Sequence, residues 1–351
     1  MSIINIGRIE SKMIIYLFLY FLLLIGAYIS ERSIFVLYLI LAIMSFMIGF
    51  RGAEVGTDTM SYQMLYDNLG RDGYLGYPEP LFGLLCVGFN LIGLSFQSSQ
   101  TILIFISLCM TAHVIKYYSP NYCLSMFMMI SLYFLFYSMN IYREMVACFI
   151  MVYGLNILFN EDLRWTKTKF IFVLLIAATI HKASLFLLPV MFVRKWNLSE
   201  MIIYFGIISS ILIGVMDLGG AVFPKLGLYE KDLAEYMRSG GRVVLALFLS
   251  LYWIIAFLYI YKKSDEVFKR SMYTKLFFYG IIINNLLVRQ DMGLRLMLYF
   301  TIPLVIGIPL FVSRSDNPLK TQAIVISYSS LYFFVFLMAN SADVVPYSLN
   351  W

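Results

Sequence analysis

The chain has 351 residues, 61% of them hydrophobic and 13% charged, with a mean hydropathy of +0.83. A soluble domain carries about a quarter of its residues charged, so this composition excludes a soluble globular protein and makes lipid the solvent for much of the surface. The net charge of +6 sits in short clusters between apolar runs, the distribution of an all-α polytopic membrane protein rather than of a nucleic-acid binder.

A membrane span needs about 20 apolar residues. In chain order the predicted spans are 13–29, 33–50, 100–117, 121–139, 141–159, 200–217, 242–261, 273–288, 295–312 and 321–339. The first is followed by "ISERS", with no small-residue cleavage pattern, so it is read as a retained span rather than a signal peptide. Two regions are short. Residues 81–94, "LFGLLCVGFNLIGL", fall below a full span, and 169–193 form two apolar halves broken at His181 and Lys182. Runs of this length suit re-entrant, interfacial or core helices, which gives roughly 10–13 membrane helices in all. No soluble domain and no fixed-period repeat stands out, and residues 1–351 are read as one membrane domain. Cys86, Cys109, Cys123 and Cys148 lie in or beside apolar runs without a CxxC pair, and read as small core hydrophobes rather than metal or redox groups.

Orientation follows the basic loops. "EDLRWTKTK" (161–169), "RKW" (194–196), "KKSDEVFKR" (262–270) and "RSDNPLK" (314–320) are placed in the cytoplasm. The segment 169–193 then enters and returns with His181 at its outer tip, and 218–241, 289–295 and the C-terminal tail also face outward. The side of the loop after residue 50 depends on 81–94. If that segment spans, the loop is cytoplasmic, as Arg8 and Lys12 favour; if it lies in the outer interface, 51–99 faces outward. We take the second, which gathers every polar cluster on one face.

Arginines near spans are costly and usually face a cavity, a partner or the interface. Arg51, Arg143, Arg289 and Arg295 fall at span ends on the outer side, where few basic residues are expected. An anionic ligand would account for the set, because a guanidinium binds phosphate oxygens bidentately and stays charged. Interfacial snorkelling, or ion pairs such as Arg143–Glu144 and Arg289–Asp291, would account for single members. His181, one of two histidines, is a candidate general base for a sugar hydroxyl, or else a hydrogen-bonded structural histidine. His113, inside a span, reads as a packed core residue, and no HxxxH or HExxH spacing suggests zinc.

In "FRGAEVGTDTMSY" (50–62), Gly56 permits a tight turn and hydroxyls of Thr57 and Thr59 flank Asp58. Asp58 could orient a hydroxyl, act as a base, or cap the helix starting near Met60. Tyr62, Tyr66, Tyr74 and Tyr77 follow, aromatics that suit sugar rings or a membrane interface. "YPEPLF" (77–82) reads as a rigid lead-in to the short segment, with Glu79 between two prolines. "GLYEKDLAEYMRSGGR" (227–242) is either a cover over an outer cavity or a plain solvated loop.

Taken in order, these motifs resemble the EpsG family of polysaccharide polymerases, relatives of the Wzy-type O-antigen and capsule polymerases. The match runs through Arg51, "VGTD" (55–58) and Tyr62; Arg143 to Ala147 in "YREMVA"; "HKASLFLLP" (181–189), which reads K-A-S where the family often has S-S-A; "RLMLYF" from Arg295; and Pro346-Tyr347. The resemblance implies a glycosyltransferase of the bacterial cytoplasmic membrane, loosely similar in fold to multi-span lipid-carrier glycosyltransferases. It joins oligosaccharide repeat units carried on undecaprenyl diphosphate at the outer face, with flippase and chain-length regulator proteins as possible partners. His181, then Asp58, would take the proton, and Thr57, Tyr62 and the four arginines would bind substrate. No cofactor is expected, although Asp58 with Glu54 could hold a divalent metal. The rival readings are a flippase or transporter of lipid-linked sugars, a glycan ligase, a sugar O-acylation enzyme and a non-catalytic assembly subunit. An internal repeat would favour a transporter, and none is found.

Overall fold

A computed structural model describes residues 3–29, 32–217, 240–290 and 292–350, with side chains from 13 onward and, after the gap, from 245. Residues 218–239, nearly all of the outer loop placed at 218–241 and with it most of the stretch 227–242, and Asp291 lie outside the described residues. Regular structure among the described residues is helical, apart from one isolated antiparallel bridge between Arg51 and Leu349. The chain divides into two compact units, Met1–Leu188 with Ile308–Ser313 and Asn317–Trp351, and Pro189–Gly307 with Arg314–Asp316.

The first unit begins with α1 (Ile3–Ile29), α2 (Ile34–Gly49), α3 (Thr59–Asp72) and α4 (Pro80–Leu91). It continues through α5 (Phe96–Tyr118), α6 (Tyr122–Ser131), α7 (Phe134–Asn140), α8 (Tyr142–Phe159) and α9 (Thr166–Ile180) to a 3-10 turn, Lys182–Leu187. At its centre is α8, largely apolar beyond its first turn and mostly buried between α5 and α9, as expected of a helix with little polar face. By contrast, α1 buries Tyr16, Leu19, Tyr20, Leu23 and Ala27 and exposes Phe18, Phe21, Ile25 and Ile29. Its outward face is as greasy as its inward one, which water would not tolerate and lipid does.

The all-α polytopic architecture is present, but the number of full crossings differs from the sequence expectation. By length and composition four helices can cross alone, Phe96–Tyr118, Tyr142–Phe159, Leu245–Lys263 and Pro318–Met338, or up to six if each bent pair is one span. Predicted span 121–139 is two helices, α6 and α7, bent by 52°. The break falls at Tyr133, whose φ of 69° is left-handed, a conformation costing a non-glycine residue about 1–2 kcal/mol. Its ring stacks on Phe136 at 4.3 Å and its hydroxyl donates to Ser341 O at 2.9 Å, which hold it there. Predicted span 295–312 is likewise broken, with a 50° bend between Met292–Thr301 and Leu304–Ser313 at Pro303, which lacks the N–H to continue the ladder. Other expected spans are shorter apolar helices, among them Met13–Ile29, Ile34–Gly49 and Glu200–Val215. The short reading of 81–94 agrees with α4, whose 12 residues reach only about 18 Å.

In the second unit α10 (Val190–Val193), α11 (Glu200–Val215), α12 (Gly240–Lys263) and α13 (Glu266–Lys269) lead to α14 (Met272–Leu286) and α15 (Met292–Thr301). α14 packs against α11, α12 and α15. Its buried Asn284 and Asn285 donate to Ser250 Oγ at 2.8 Å and Ser210 Oγ at 3.1 Å. The remaining helices are α16 (Leu304–Ser313) and α17 (Pro318–Met338); α17 belongs to the first unit, where it packs on α6.

Candidate active site

Four helix ends of the first unit converge on Glu79. "YPEP" brings this carboxylate to the N-cap of α4, with Pro80 at the first helical position, where a missing N–H costs nothing. The side chain does not cap its own helix; it turns toward α8 and α9. Oε2 accepts from Arg143 Nη1 at 2.5 Å. Oε1 lies 2.7 Å from His181 Nδ1 and accepts from the Lys182 backbone N–H at 3.3 Å. The Glu79 side chain is only 4% exposed, against 25% for Arg143 and 22% for His181. Burial pushes the Glu79 carboxyl up, but the His181 hydrogen bond and the Arg143 charge outweigh it and hold the group below the usual glutamate value. Glu79 is therefore ionised at neutral pH and can only accept, so Nδ1 of His181 carries the proton. When the ring is neutral, its lone pair stands at Nε2. That nitrogen stands 4.0 Å from Glu144 Oε2.

His181 is placed for this role by the end of α9. The helix stops at Ile180, and His181 is extended (φ −153°, ψ 113°) before the 3-10 turn begins. The break predicted at His181 and Lys182 is thus present. Arg143 enters from the first turn of α8. Besides Glu79 it donates to the Tyr77 hydroxyl, and its Cζ lies 5.4, 5.9 and 5.5 Å from the rings of Tyr62, Tyr77 and Phe82. Such contacts are worth roughly 0.5–2 kcal/mol each. The anticipated Arg143–Glu144 pair gives way to Arg143–Glu79, because neighbours on a helix point in different directions. Tyr62 and Phe82 also line a small apolar cavity, with Tyr66, Cys86, Gln100 and Tyr142.

The "VGTD" loop is built differently from the rest. Arg51 is buried, donating through Nε to Thr59 Oγ1 at 2.9 Å and through Nη1 to Gln100 Oε1 at 2.8 Å and to Ile48 O, while Nη2 has no partner. Burial pushes this guanidinium down to about 10, with nearby tyrosines opposing the shift, so it stays charged at neutral pH. The C-terminal tail straps the loop in place: Gly52 N donates to Ser348 O at 2.8 Å, Gly56 N to Asp343 O at 2.8 Å, and Asn350 N to Phe50 O at 2.9 Å. Gly56 has φ +86°, and a Cβ there would lie 2.6 Å from Met139 O. Asp58 stands at the N-cap of α3 but makes no capping bond, so the expected cap holds in position only. Its Oδ1 is 3.2 Å from Thr57 Oγ1, which also hydrogen-bonds Asn140.

Arg51, Thr57, Asp58, Tyr62, Arg143 and His181 therefore share one unit, with Tyr62, Arg143 and His181 linked through or beside Glu79. Arg289 and Arg295 belong to the second unit, where both are exposed. His113, expected in the core, is exposed on α5 and lies against Tyr117 and Tyr153, with ring centroids 4.9 and 5.6 Å away. Sequence reasoning passed over Glu79 and Glu144 as site residues. The available signal was a carboxylate beside apolar segments, which is costly at membrane depth and therefore usually functional. No three His, Cys, Asp or Glu side chains come together as a metal-binding group among the described residues.

An imidazole held by a buried carboxylate beside an arginine is a geometry able to move a proton, here in a multi-span helical membrane protein. The EpsG family profile matches residues 34–349, and the chain belongs to that family, one of Wzy-like polysaccharide polymerases. No curated protein and no solved structure matches the chain.

Proposed function

We propose that the protein polymerises oligosaccharide repeat units carried on undecaprenyl diphosphate, at the outer face of the bacterial cytoplasmic membrane. The observation that carries this reading is the Glu79–His181 contact of 2.7 Å beside Arg143. A hydroxyl of the incoming unit attacks the anomeric carbon of the growing chain. Its proton passes to His181 Nε2, the bond from that carbon to the phosphate oxygen breaks, and the electron pair leaves with the lipid diphosphate. Glu79 keeps the imidazole in the receptive tautomer and balances the imidazolium that forms. Arg143, partly exposed beside the base, faces the charge that develops on the leaving group, where a preorganised cation contributes most.

Asp58, Thr57 and Tyr62 form the sugar-facing edge of the loop, and Arg51 supports that loop from within. The second-choice base, Asp58, lacks an orienting partner of the kind His181 has in Glu79.

The test is a lipid-linked repeat unit incubated with purified protein in liposomes, followed by a glycan gel. A ladder of lengths is expected from the wild type, and none from His181→Ala or Arg143→Ala present in the membrane at normal amount. A single transferred unit would point to a ligase. No transfer by the wild type, or normal ladders from both variants, would overturn the assignment.

A further inference from the structure

Arg143 and the apolar cavity beside it share two walls. The rings of Tyr62 and Phe82 lie 5.4 and 5.5 Å from the Arg143 Cζ, and both also line the cavity. Phe82, Leu85, Cys86 and Phe89, at helical spacing on one face of α4, supply most of the apolar lining. Three polar groups on the wall are already engaged. The Tyr66 hydroxyl donates to Leu94 O at 2.8 Å, the Tyr142 hydroxyl to Gln100 O at 2.7 Å, and Gln100 Oε1 accepts from Arg51 Nη1 at 2.8 Å. A sugar ring placed here would leave hydroxyls without partners, which is costly, whereas an apolar chain has none to satisfy. The free space is about 290 Å³, its open mouth included. That is the lower limit for a ligand pocket, so the cavity suits a fragment of a ligand rather than the whole.

We propose that this cavity holds the first isoprene unit of the donor's lipid carrier while the diphosphate meets Arg143. The proposal rests on the reading of Arg143 as the contact for a lipid diphosphate, and adds the place where the lipid itself is held. In an isoprenyl diphosphate the apolar chain begins at the carbon bonded to the phosphate oxygen. Charge and hydrocarbon therefore adjoin in the ligand as they do across Tyr62 and Phe82. In a phospholipid, glycerol and its ester groups intervene, and the apolar lining gives them nothing to bond. Leu84 and Leu91 of α4 are exposed, a face that lipid solvates, so the rest of the chain stays in the bilayer beside this helix. Bilayer lipid already solvates an isoprenoid, and the cavity's contribution is orientation. Holding the first unit fixes the diphosphate, and with it the anomeric carbon, relative to His181.

The test is photolabelling of the full chain in liposomes with a short, water-soluble isoprenyl diphosphate that carries a diazirine on its first isoprene unit, followed by peptide mapping. The label should fall on the cavity faces of α4 and α5. Unlabelled isoprenyl diphosphate should compete, and phosphatidylglycerol and the free repeat-unit oligosaccharide should not. Cys86→Phe and, separately, Leu103→Trp place bulk in the cavity. For a probe arriving from water each buried methylene is worth about fourfold in affinity, so either variant should cut the labelling by at least about tenfold. Label concentrated on the lipid-exposed Leu84 and Leu91 would overturn the proposal, and so would labelling unchanged in both variants. Equal competition by phosphatidylglycerol would make the cavity a general lipid site, and competition by the oligosaccharide a sugar subsite; either result would overturn it too. Should neither variant reach the membrane, the wild-type map and its competition decide alone. The labelling needs no turnover. Glycan ladders from a wild type whose cavity stays unlabelled would sink this proposal alone, and a labelled cavity without ladders would sink the polymerase reading.

Discussion

Replacing Glu79 with glutamine tests the site at its hub. The wild-type carboxylate accepts from Arg143, His181 and the Lys182 backbone while almost fully buried. Truncation to alanine would strand Arg143 without its ion partner, and breaking a buried pair this way costs about 3–5 kcal/mol, enough to threaten folding. Glutamine keeps the shape and one accepting oxygen but removes the charge. That oxygen cannot serve both Arg143 and Nδ1, and an amide NH2 turned toward the ring would reverse the tautomer and block Nε2. Loss of the carboxylate behind a catalytic imidazole lowers rates by up to about 10⁴, so Glu79→Gln should slow polymerisation by roughly 10²–10⁴. The assay is the initial rate of ladder growth in liposomes, normalised to folded protein, for Glu79→Gln, His181→Gln and the double variant. Glu79 acts through His181, so the double variant should be about as slow as His181→Gln alone, the non-additivity of residues that work as a unit. A wild-type rate for Glu79→Gln, or multiplicative losses in the double variant, would refute the reasoning.

Three further outcomes are expected. A Cβ at Gly52 would lie 2.0 Å from Ser348 Oγ, so Gly52→Ala should lower the melting temperature in detergent, and adding Ser348→Ala should recover most of the loss; no recovery would contradict the strap between tail and loop. Glu79 is held below its ordinary value, so its contribution to stability is fully present above the unfolded-state value near about pH 4.3 and is lost as pH falls through the lowered folded value. A melting series from pH 6 to 3 should accordingly show an acid loss that is reduced in Glu79→Gln. Thr57 is exposed, so Thr57→Cys should react with an impermeant thiol reagent added from outside the cell, and labelling from the cytoplasmic side alone would reverse the topology.

Much of the architecture could be read from residues because lipid exposes it as composition. The shortness of α4 is visible in "LFGLLCVGFNLIGL", and the stop at His181 follows from a polar pair between two apolar halves. The break at Tyr133 has no such mark. "YCLSMFMMISLYFLFYSM" is apolar nearly throughout, and its bend is held by contacts with Phe336 and Ser341, some two hundred positions away. Pro303 did mark its break, but the run around it was long enough to pass as a span. The candidate base and its arginine were legible as rare polar residues in an apolar chain. Their common partner was not, since Glu79 lies 102 positions from His181 and sequence proximity pointed to Glu144 instead. The tail strap escaped for the same reason, because it consists of backbone hydrogen bonds between the loop and the far end of the chain.

The central claim is that His181 takes the proton while the growing glycan leaves its lipid diphosphate. The most direct measurement counts undecaprenyl diphosphate released against glycosidic bonds formed by the purified protein in liposomes. The account predicts one lipid diphosphate per bond for the wild type and neither product from His181→Ala. Polymer formed without diphosphate release, or matched release and bond formation persisting in His181→Ala, would contradict it.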